Sequence, residues 1–407
     1  MNRQFCISLC IVLTLSLLPG LPTATALNLS VPAVNGDLSR GLLGDGTGVI
    51  VGVIDSGVDD THPALTGFDS LGQPRMVAEA NFVPTEPANT GDDVQGHGTW
   101  VTSVVLGDDP IYTGMATDAR FINARVLDSN NVFNTDTWVR NGIGFAIENG
   151  ADVLNLSLSY FRRNSSGNSA LDRIIDWAAF DRGISSAVCV GNINNSGSTV
   201  RGPGSAFNGV TVGATDFDFN QVASFSANAF TQDGRMKPDI VAPGTAITMA
   251  NDDWETQGDF TSASGCSFAT PHVAGLMAQQ IEAGRDHNLS TNPLVIKTTM
   301  MNAAAKEVLN KNGGPWFAAA TNQPLDTHSG AGQIDGFALA EQYLAGEHQP
   351  GVVLRRAVIA VAADPVDARQ VRCVLKRREV LVGMGVADRT HGRFSPCGAC
   401  HHGRDEQ

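Results

Sequence analysis

Short apolar runs bounded by glycine or polar residues recur along the first 345 residues of the chain. The run at 49–54 is continuous, and this predicts a strand that is buried on both faces, as in a parallel sheet. We predict such strands over 49–54, 120–126, 152–158, 184–190, 210–214 and 239–241.

Between these runs, apolar residues return at intervals of three or four, which is the period of an amphipathic helix. Residues 135–149, for example, place Trp138, Ile143 and Ile147 on one side and end at Gly150. Further helices are predicted over 100–106, 169–182, 267–284, 293–305 and 336–345. Because strands and helices alternate, the predicted fold class is α/β, with a mostly parallel β-sheet and helices on both faces.

The first 26 residues have the pattern of a signal peptide. Arg3 precedes an apolar run over 5–18, and Ala-Thr-Ala at 24–26 matches a cleavage site. The run is short for a membrane span and no later segment is long enough, so we expect an exported, secreted or periplasmic protein without a stable membrane anchor. Residues 27–47 look like loop, and we expect 27–36 to be a short segment without room for a pro-domain.

The amino-acid composition of the chain changes near residues 346–350. The 58 residues from Pro350 carry 10 of the 27 lysines and arginines and three of the seven cysteines. Residues 347–407 show no clear amphipathic period, so we predict a basic, poorly folded tail of unknown role. A tail joined by an altered reading frame is an open alternative. The Cys397–His401 stretch matches a haem-attachment pattern, for which chance is the favoured explanation.

The composition of the chain bears on which class of molecule the protein binds. The formal net charge of −14 and the lack of a basic stripe argue against nucleic acid. Five cysteines follow residue 26, which is too few for a disulfide framework in a chain of 407 residues. We expect a monomer.

Three polar residues stand at positions suited to chemistry. Asp55 ends the first strand, and ligands of open α/β sheets bind at the carboxyl ends of strands. His97 opens a helix, whose dipole favours the neutral imidazole that a general base needs. Ser267 follows Gly265 at another helix start, where backbone N–H groups can stabilise negative charge. Taken singly, Asp55 and Ser267 are better explained as a turn residue and a helix cap, and His97 is as well explained as a cap.

Together, the three segments resemble the motifs of the subtilisin-like serine proteases, the subtilases. Residues 53–58 read Val-Ile-Asp-Ser-Gly-Val, 96–99 read Gly-His-Gly-Thr, and 265–275 read Gly-Cys-Ser-Phe-Ala-Thr-Pro-His-Val-Ala-Gly. The order Asp, His, Ser is also that of subtilisin. The chain departs from the usual motifs at four positions, namely Trp100 for His, Ser103 for Gly, Cys266 for Thr and Phe268 for Met.

The resemblance extends over about residues 45–345 and implies a three-layer catalytic domain, which we place at 37–346. It implies a catalytic triad of Asp55, His97 and Ser267 acting through an acyl-enzyme. Asn192, in Val-Gly-Asn after an apolar strand, would donate to the oxyanion. The substrate would pair with the segment Leu156, Ser157, Leu158 and Ser159, where Ser159 replaces a usual Gly.

The resemblance implies no cofactor for catalysis and no metal at the catalytic site. It allows Ca²⁺ as a structural ion, although the acidic pairs at 59–60, 92–93 and 108–109 lack a diagnostic spacing and are better explained as solvated loops. Cys189 and Cys266 flank the presumed oxyanion groups. We interpret them as small buried apolar residues, with redox or heavy-metal sensitivity as the alternative.

The sequence therefore leads to the hypothesis of a secreted serine endopeptidase that hydrolyses protein or peptide substrates. One alternative is a subtilase-like protein that binds peptides with little or no catalysis. A serine esterase of the α/β-hydrolase type is less consistent, because Ser267 lacks a Gly-x-Ser-x-Gly elbow and the order of the triad differs.

Overall fold

The computed structural model describes residues 25–85, 91–159, 166–192, 200–316 and 325–346. Most of the predicted signal peptide and the whole 347–407 tail lie outside the described residues, as does the haem-like pattern. The strands are β1 Thr25–Ala26, β2 Ile50–Asp55, β3 Met76–Asn81, β4 Arg120–Arg125, β5 Val153–Leu156, β6 Ser185–Cys189, β7 Val210–Thr215, β8 Ala229–Phe230, β9 Met236–Lys237, β10 Ile240–Pro243, β11 Ile247–Ala250 and β12 Phe260–Ala263.

The helices are α1 Leu27–Ala33, α2 Gly36–Leu43, α3 His97–Leu106, α4 Asp136–Glu148, α5 Ala170–Arg182, α6 Trp254–Gln257, α7 Cys266–Asp286, α8 Pro293–Ala303 and α9 Gly336–Leu344. Thr135 and Ser169 cap α4 and α5 with their side chains, which fixes where these helices begin. In the part of the chain that the structure describes, no helix is long and apolar enough to span a bilayer.

Seven strands form one sheet in the order β10-β7-β6-β5-β2-β4-β3, and every neighbouring pair is parallel. All residues of β5, β6, β7 and β10 are buried, which agrees with their largely apolar sequences. The edge strand β3 was not predicted. Its sequence, Met-Val-Ala-Glu-Ala-Asn, is only partly buried at every position and has no strong apolar pattern.

Helices cover both faces of this sheet. The residues of α3, α7 and α9 share one hydrophobic cluster with one face, and those of α4 and α5 share a second cluster with the other. This is the three-layer arrangement that the alternation of elements predicted, and the fold class is confirmed. A smaller sheet, β1-β11-β12, and the hairpin β8-β9 lie outside the predicted elements.

The prediction of loop over residues 27–47 was wrong, because this stretch forms α1 and α2. Leu27 and Leu43 are buried in the cluster that contains α7. The Ser30 hydroxyl bonds His272, and the Ser39 hydroxyl donates to Gln279, both on α7. These contacts join residues about 240 positions apart. Tertiary packing of this kind stabilises short helices that local sequence does not specify.

Candidate active site

The candidate catalytic residues meet at one edge of the main sheet. β2 ends at Asp55, Ser157 follows β5, and Asn192 lies shortly after β6. Helices α3 and α7 begin at the same edge with His97 and Cys266. Carboxyl strand ends and helix N-termini thus face each other, which is where α/β sheets place their ligands.

Asp55 fixes the orientation of His97. One carboxylate oxygen, Oδ1, lies 2.7 Å from His97 Nδ1 and also accepts a 2.8 Å hydrogen bond from the Ser56 N–H. Since a carboxylate only accepts, the proton is on Nδ1 in neutral His97. The other ring nitrogen, Nε2, is left as a proton acceptor.

The environment raises the pKa of His97 above its usual value. Burial disfavours the imidazolium, but attraction to the Asp55 carboxylate, their hydrogen bond and the more distant Asp93 together outweigh it. An imidazolium formed during a reaction would therefore be stabilised at this position. This is the property required of a group that takes and returns a proton.

Close packing positions the start of α3. A Cβ added to Gly98 would come within 1.8 Å of the Gly57 carbonyl oxygen, so only glycine allows this approach to the Asp55 loop. Asp93 accepts hydrogen bonds from the N–H groups of Gly96 and Thr99 and caps the helix. The unusual Ser103 also has a partner, since its hydroxyl accepts from the Ala250 N–H.

Ser267 lies one residue into α7 and is held against the end of β5. Its hydroxyl donates to the Ser157 carbonyl over 3.1 Å, while the Ser157 hydroxyl donates to the Ser267 carbonyl over 2.7 Å. Asn155 in turn donates to the Ser157 hydroxyl. This reciprocal pair ties the nucleophile candidate to the segment predicted to bind substrate.

Asn192 faces the N-terminus of α7. Its side-chain oxygen accepts a 3.0 Å hydrogen bond from the Cys266 N–H, and this fixes which end of the amide is which. The amide nitrogen lies 3.3 Å from the position of a Cβ built on Gly265. Within the described ranges this nitrogen has no hydrogen-bond acceptor, and Asn192 lines the same cavity as Ser267.

These groups border a cavity of about 370 Å³. Its described lining is His97, Leu127, Asn130, Asn131, Val132, Phe133, Ser157, Leu158, Ser159, Cys189, Asn192, Arg201 and Ser267. Three of the four predicted substrate-binding residues are included. The exception is Leu156, which is fully buried in the hydrophobic cluster under α5.

Two aromatic residues beside His97 were not assigned a role from the sequence. The rings of Trp100 and Phe268 lie 6.4 and 5.6 Å from the His97 ring, centroid to centroid. They also pack on each other at 6.3 Å. Both replace residues that are common in the family motifs. These two departures were the sequence observation from which a role beside His97 could have been predicted.

Cys189 and Cys266 are buried as predicted, but they are joined in a disulfide and are not free thiols. The interpretation as two separate small apolar residues was therefore wrong. The end of β6 and the start of α7 bring their Cα atoms to 5.4 Å, within the range that a disulfide spans. The link crosses 77 positions of sequence, and its cysteines shortly precede Asn192 and directly precede Ser267 along the chain.

Within the described residues, no group of three or more His, Cys, Asp or Glu side chains is placed to hold a metal ion. Residues of the acidic pairs instead accept hydrogen bonds from nearby backbone N–H groups. Asp59 accepts from the Thr61 N–H, and Asp109 accepts from the N–H groups of Ile111 and Tyr112. Such bonds are typical of Asp in loops.

Comparison with known proteins adds independent information. The model of the subtilase family matches residues 46–332. The chain is 35% identical over 237 residues to subtilisin E of Bacillus subtilis (strain 168), and the match covers 57% of this chain and 55% of that protein. It is 30% identical over 246 residues to thermitase of Thermoactinomyces vulgaris, covering 60% of this chain and 78% of that one.

Comparison with solved structures also finds a subtilisin-like protein. The crystal structure of a cold adapted subtilisin-like serine proteinase superposes with a TM-score of 0.53 at 30% identity, covering 67% of this chain and 88% of that chain. The chain spans about 55% of the length of subtilisin E. Since the family match includes β2, α3 and the first part of α7 with their three motifs, the chain belongs to the subtilase family.

Proposed function

We propose that this protein is a serine endopeptidase that hydrolyses protein or peptide substrates. The observation that carries the proposal is the convergence of His97, Asn192 and Ser267 on one cavity, with Asp55 bonded to His97 behind them. Membership in the subtilase family and the likeness to a subtilisin-like serine proteinase support it.

In the proposed reaction, the Ser267 hydroxyl leaves the Ser157 carbonyl and turns toward His97 Nε2. His97 takes the proton while Oγ attacks the substrate carbonyl carbon, and Asp55 stabilises the imidazolium. The proton then passes to the leaving amine and an acyl-enzyme forms. Water, deprotonated by His97, hydrolyses the acyl-enzyme and restores Ser267.

The negative charge of the tetrahedral intermediate requires donors placed in advance. The amide N–H₂ of Asn192 and the N–H of Ser267 at the start of α7 are the proposed donors. The Asn192 amide is held by the Cys266 N–H and needs no reorientation. The helix N-terminus adds a favourable dipole.

The proposed substrate lies extended along residues 157–159. These residues follow β5 and line the cavity, so a peptide could add to them as a strand. Leu156 supports this segment from the core and does not contact the peptide. We further propose export through the signal peptide, a monomeric enzyme, catalysis without a cofactor, and Ca²⁺, if bound, in a structural role.

Casein hydrolysis and labelling by a fluorophosphonate test the proposal, with Ser267→Ala as the matched variant. We expect the wild-type protein to hydrolyse casein and to be labelled at Ser267, and the variant to lose both. Circular dichroism shows whether the two proteins are equally folded.

Other outcomes identify the alternatives. Labelling without casein hydrolysis would indicate an esterase or a protease of narrow specificity. A well-folded wild-type protein with neither property would contradict the proposal and support the peptide-binding alternative.

A further inference from the structure

One positively charged side chain, Arg201, lines the cavity together with Ser267 and Asn192. Among the lining residues that the structure describes, none is Asp, Glu or Lys, and His97 is the other titratable group. No ion pair joins Arg201 to an acidic residue of the described ranges. A guanidinium on a residue that lines a cavity, without a carboxylate partner among the described residues, is available to an anionic ligand.

Arg201 is tied to the segment that carries Asn192. Its N–H donates to the Val190 carbonyl, and its own carbonyl accepts a 2.8 Å bond from the Gly204 N–H. The stem of its side chain lies against Gly191, with Cδ 3.5 Å from a Cβ built there. Gly191 has φ of +103° and directly precedes Asn192. The position of Arg201 is therefore fixed relative to the oxyanion donors.

This arrangement determines which part of a substrate comes near Arg201. A scissile carbonyl must place its oxygen at Asn192 and its carbon at Ser267. The residue that supplies this carbonyl then lies next to Gly191, and its side chain is the one nearest the arginine. The shape of the site thus assigns Arg201 to the acyl side of the cut bond.

Resting on the proposed endopeptidase function, we propose that Arg201 is a specificity-determining residue that selects glutamate or aspartate immediately before the cut bond. A guanidinium binds a carboxylate through two parallel hydrogen bonds, which a neutral side chain cannot reproduce. The net charge of the chain, −14, opposes an acidic substrate at long range. Salt screens that repulsion beyond about 8 Å at physiological ionic strength. The short-range contact with Arg201 therefore determines the preference for an acidic residue.

Hydrolysis of tetrapeptide anilides that differ only in the last residue, Glu, Gln, Leu or Lys, tests this assignment. We expect kcat/KM for Glu to exceed that for its near-isostere Gln by about 10- to 100-fold, the range typical of a hydrogen bond to a charged group. In Arg201→Gln the ratio should fall to about one. In Arg201→Glu the preference should move to lysine.

Arg140→Gln is the matched control, because Arg140 lies exposed on α4 and does not line the cavity. It should leave the Glu to Gln ratio unchanged. Fluorophosphonate labelling of each variant shows that the Ser267 site is intact, so loss of the ratio is separated from loss of folding.

Several results would overturn the assignment. Labelling with hydrolysis of the Leu or Gln substrate and no preference for Glu would reject it and leave the proposed function standing. A ratio unchanged in Arg201→Gln would reject it as well. No labelling and no hydrolysis of any substrate would reject both proposals.

A carboxylate could also come from the end of a peptide chain. Internally quenched peptides with an internal Glu and either a free or an amidated C-terminus separate the two sources. Equal cleavage of both after Glu is expected. Cleavage that requires the free C-terminus would overturn the assignment to a side chain.

Discussion

Two histidines, His97 on α3 and His272 on α7, are buried within the same region of the molecule but have opposite acid–base properties. The pKa of His97 is raised, whereas that of His272 is lowered to about 4. Phe268 contacts both, with its ring against His97 and its carbonyl accepting from His272 Nδ1 at 2.8 Å. Burial alone therefore does not explain the difference.

The partners of each ring do explain it. His97 bonds a carboxylate, whose charge stabilises the imidazolium despite burial. His272 donates to a carbonyl, so its Nε2 must accept from the Ser30 hydroxyl, and no carboxylate opposes the cost of burying a charge. One histidine is suited to exchange a proton, and the other joins the N-terminal helix α1 to α7.

The largest expected difference is in activity. We expect His97→Ala to lower kcat by roughly 10⁶-fold, the loss found when a triad histidine is removed from a subtilisin. His272→Ala should change kcat by less than about tenfold, because its ring does not line the cavity. Steady-state hydrolysis by equal amounts of folded protein compares the two. Similar losses in both variants would show that the comparison is wrong.

Asp55→Asn replaces the carboxylate that bonds His97 with a neutral amide of similar size. We expect kcat to fall by about 10⁴-fold, since the amide no longer fixes the proton on Nδ1 or stabilises the imidazolium. In the wild-type protein, kcat/KM should fall tenfold for each pH unit below a His97 pKa above 6.5. In the variant, only the more distant Asp93 opposes the effect of burial on the pKa of His97, so this decline should move to lower pH. A decline at the same pH in both proteins would exclude Asp55 as its cause.

The two histidines should also change stability with pH in opposite directions. His272 has a folded pKa of about 4, below the unfolded value of 6.5, so its contribution is present above pH 6.5 and is lost as pH falls toward 4. The loss amounts to roughly 3 kcal/mol. His97, with its raised pKa, contributes below pH 6.5 and loses that contribution as pH rises through its folded pKa.

Urea unfolding between pH 4 and 8 measures both effects, in a Ser267→Ala background that prevents self-digestion. Subtracting the curve of His272→Gln from that of the parent removes the contribution of other titrating groups. A difference that does not shrink toward pH 4 would contradict the role given to His272.

The smallest expected effect is at Ser30. Ser30→Ala removes the donor to His272 Nε2 and should lower the free energy of unfolding by about 1–3 kcal/mol, the cost of an unsatisfied buried acceptor. Thr137→Ala on the exposed face of α4 is the control and should cost less than about 0.5 kcal/mol. An equal change in the two variants would mean that the Ser30 bond adds nothing to stability.

The sequence predicts six of the seven strands of the main sheet, because each of these six contains a local run rich in apolar residues that the sheet buries. The positions of Asp55, His97 and Ser267 at one edge follow from the same logic, since strand ends and helix starts are local features. The roles assigned to them came from motif resemblance, as did that of Asn192.

Features that depend on distant contacts were not predictable in this way. Helices α1 and α2 are specified by bonds to His272 and Gln279, far along the chain. The pairing of Cys189 with Cys266 depends on where β6 and α7 end and begin in space. Leu156 was assigned to the cleft because residues 152–159 resemble the family's cleft strand, but its side chain is fully buried in the core.

The Cys189–Cys266 link has a practical consequence for anyone who handles the protein. Because it joins the strand end before Asn192 to the residue before Ser267, its formation is part of assembling the site. Disulfides of this kind persist in oxidising compartments and are reduced in the cytosol. The host compartment used for production, and the dithiothreitol routinely added to purification buffers, therefore become experimental variables that every activity assay must state.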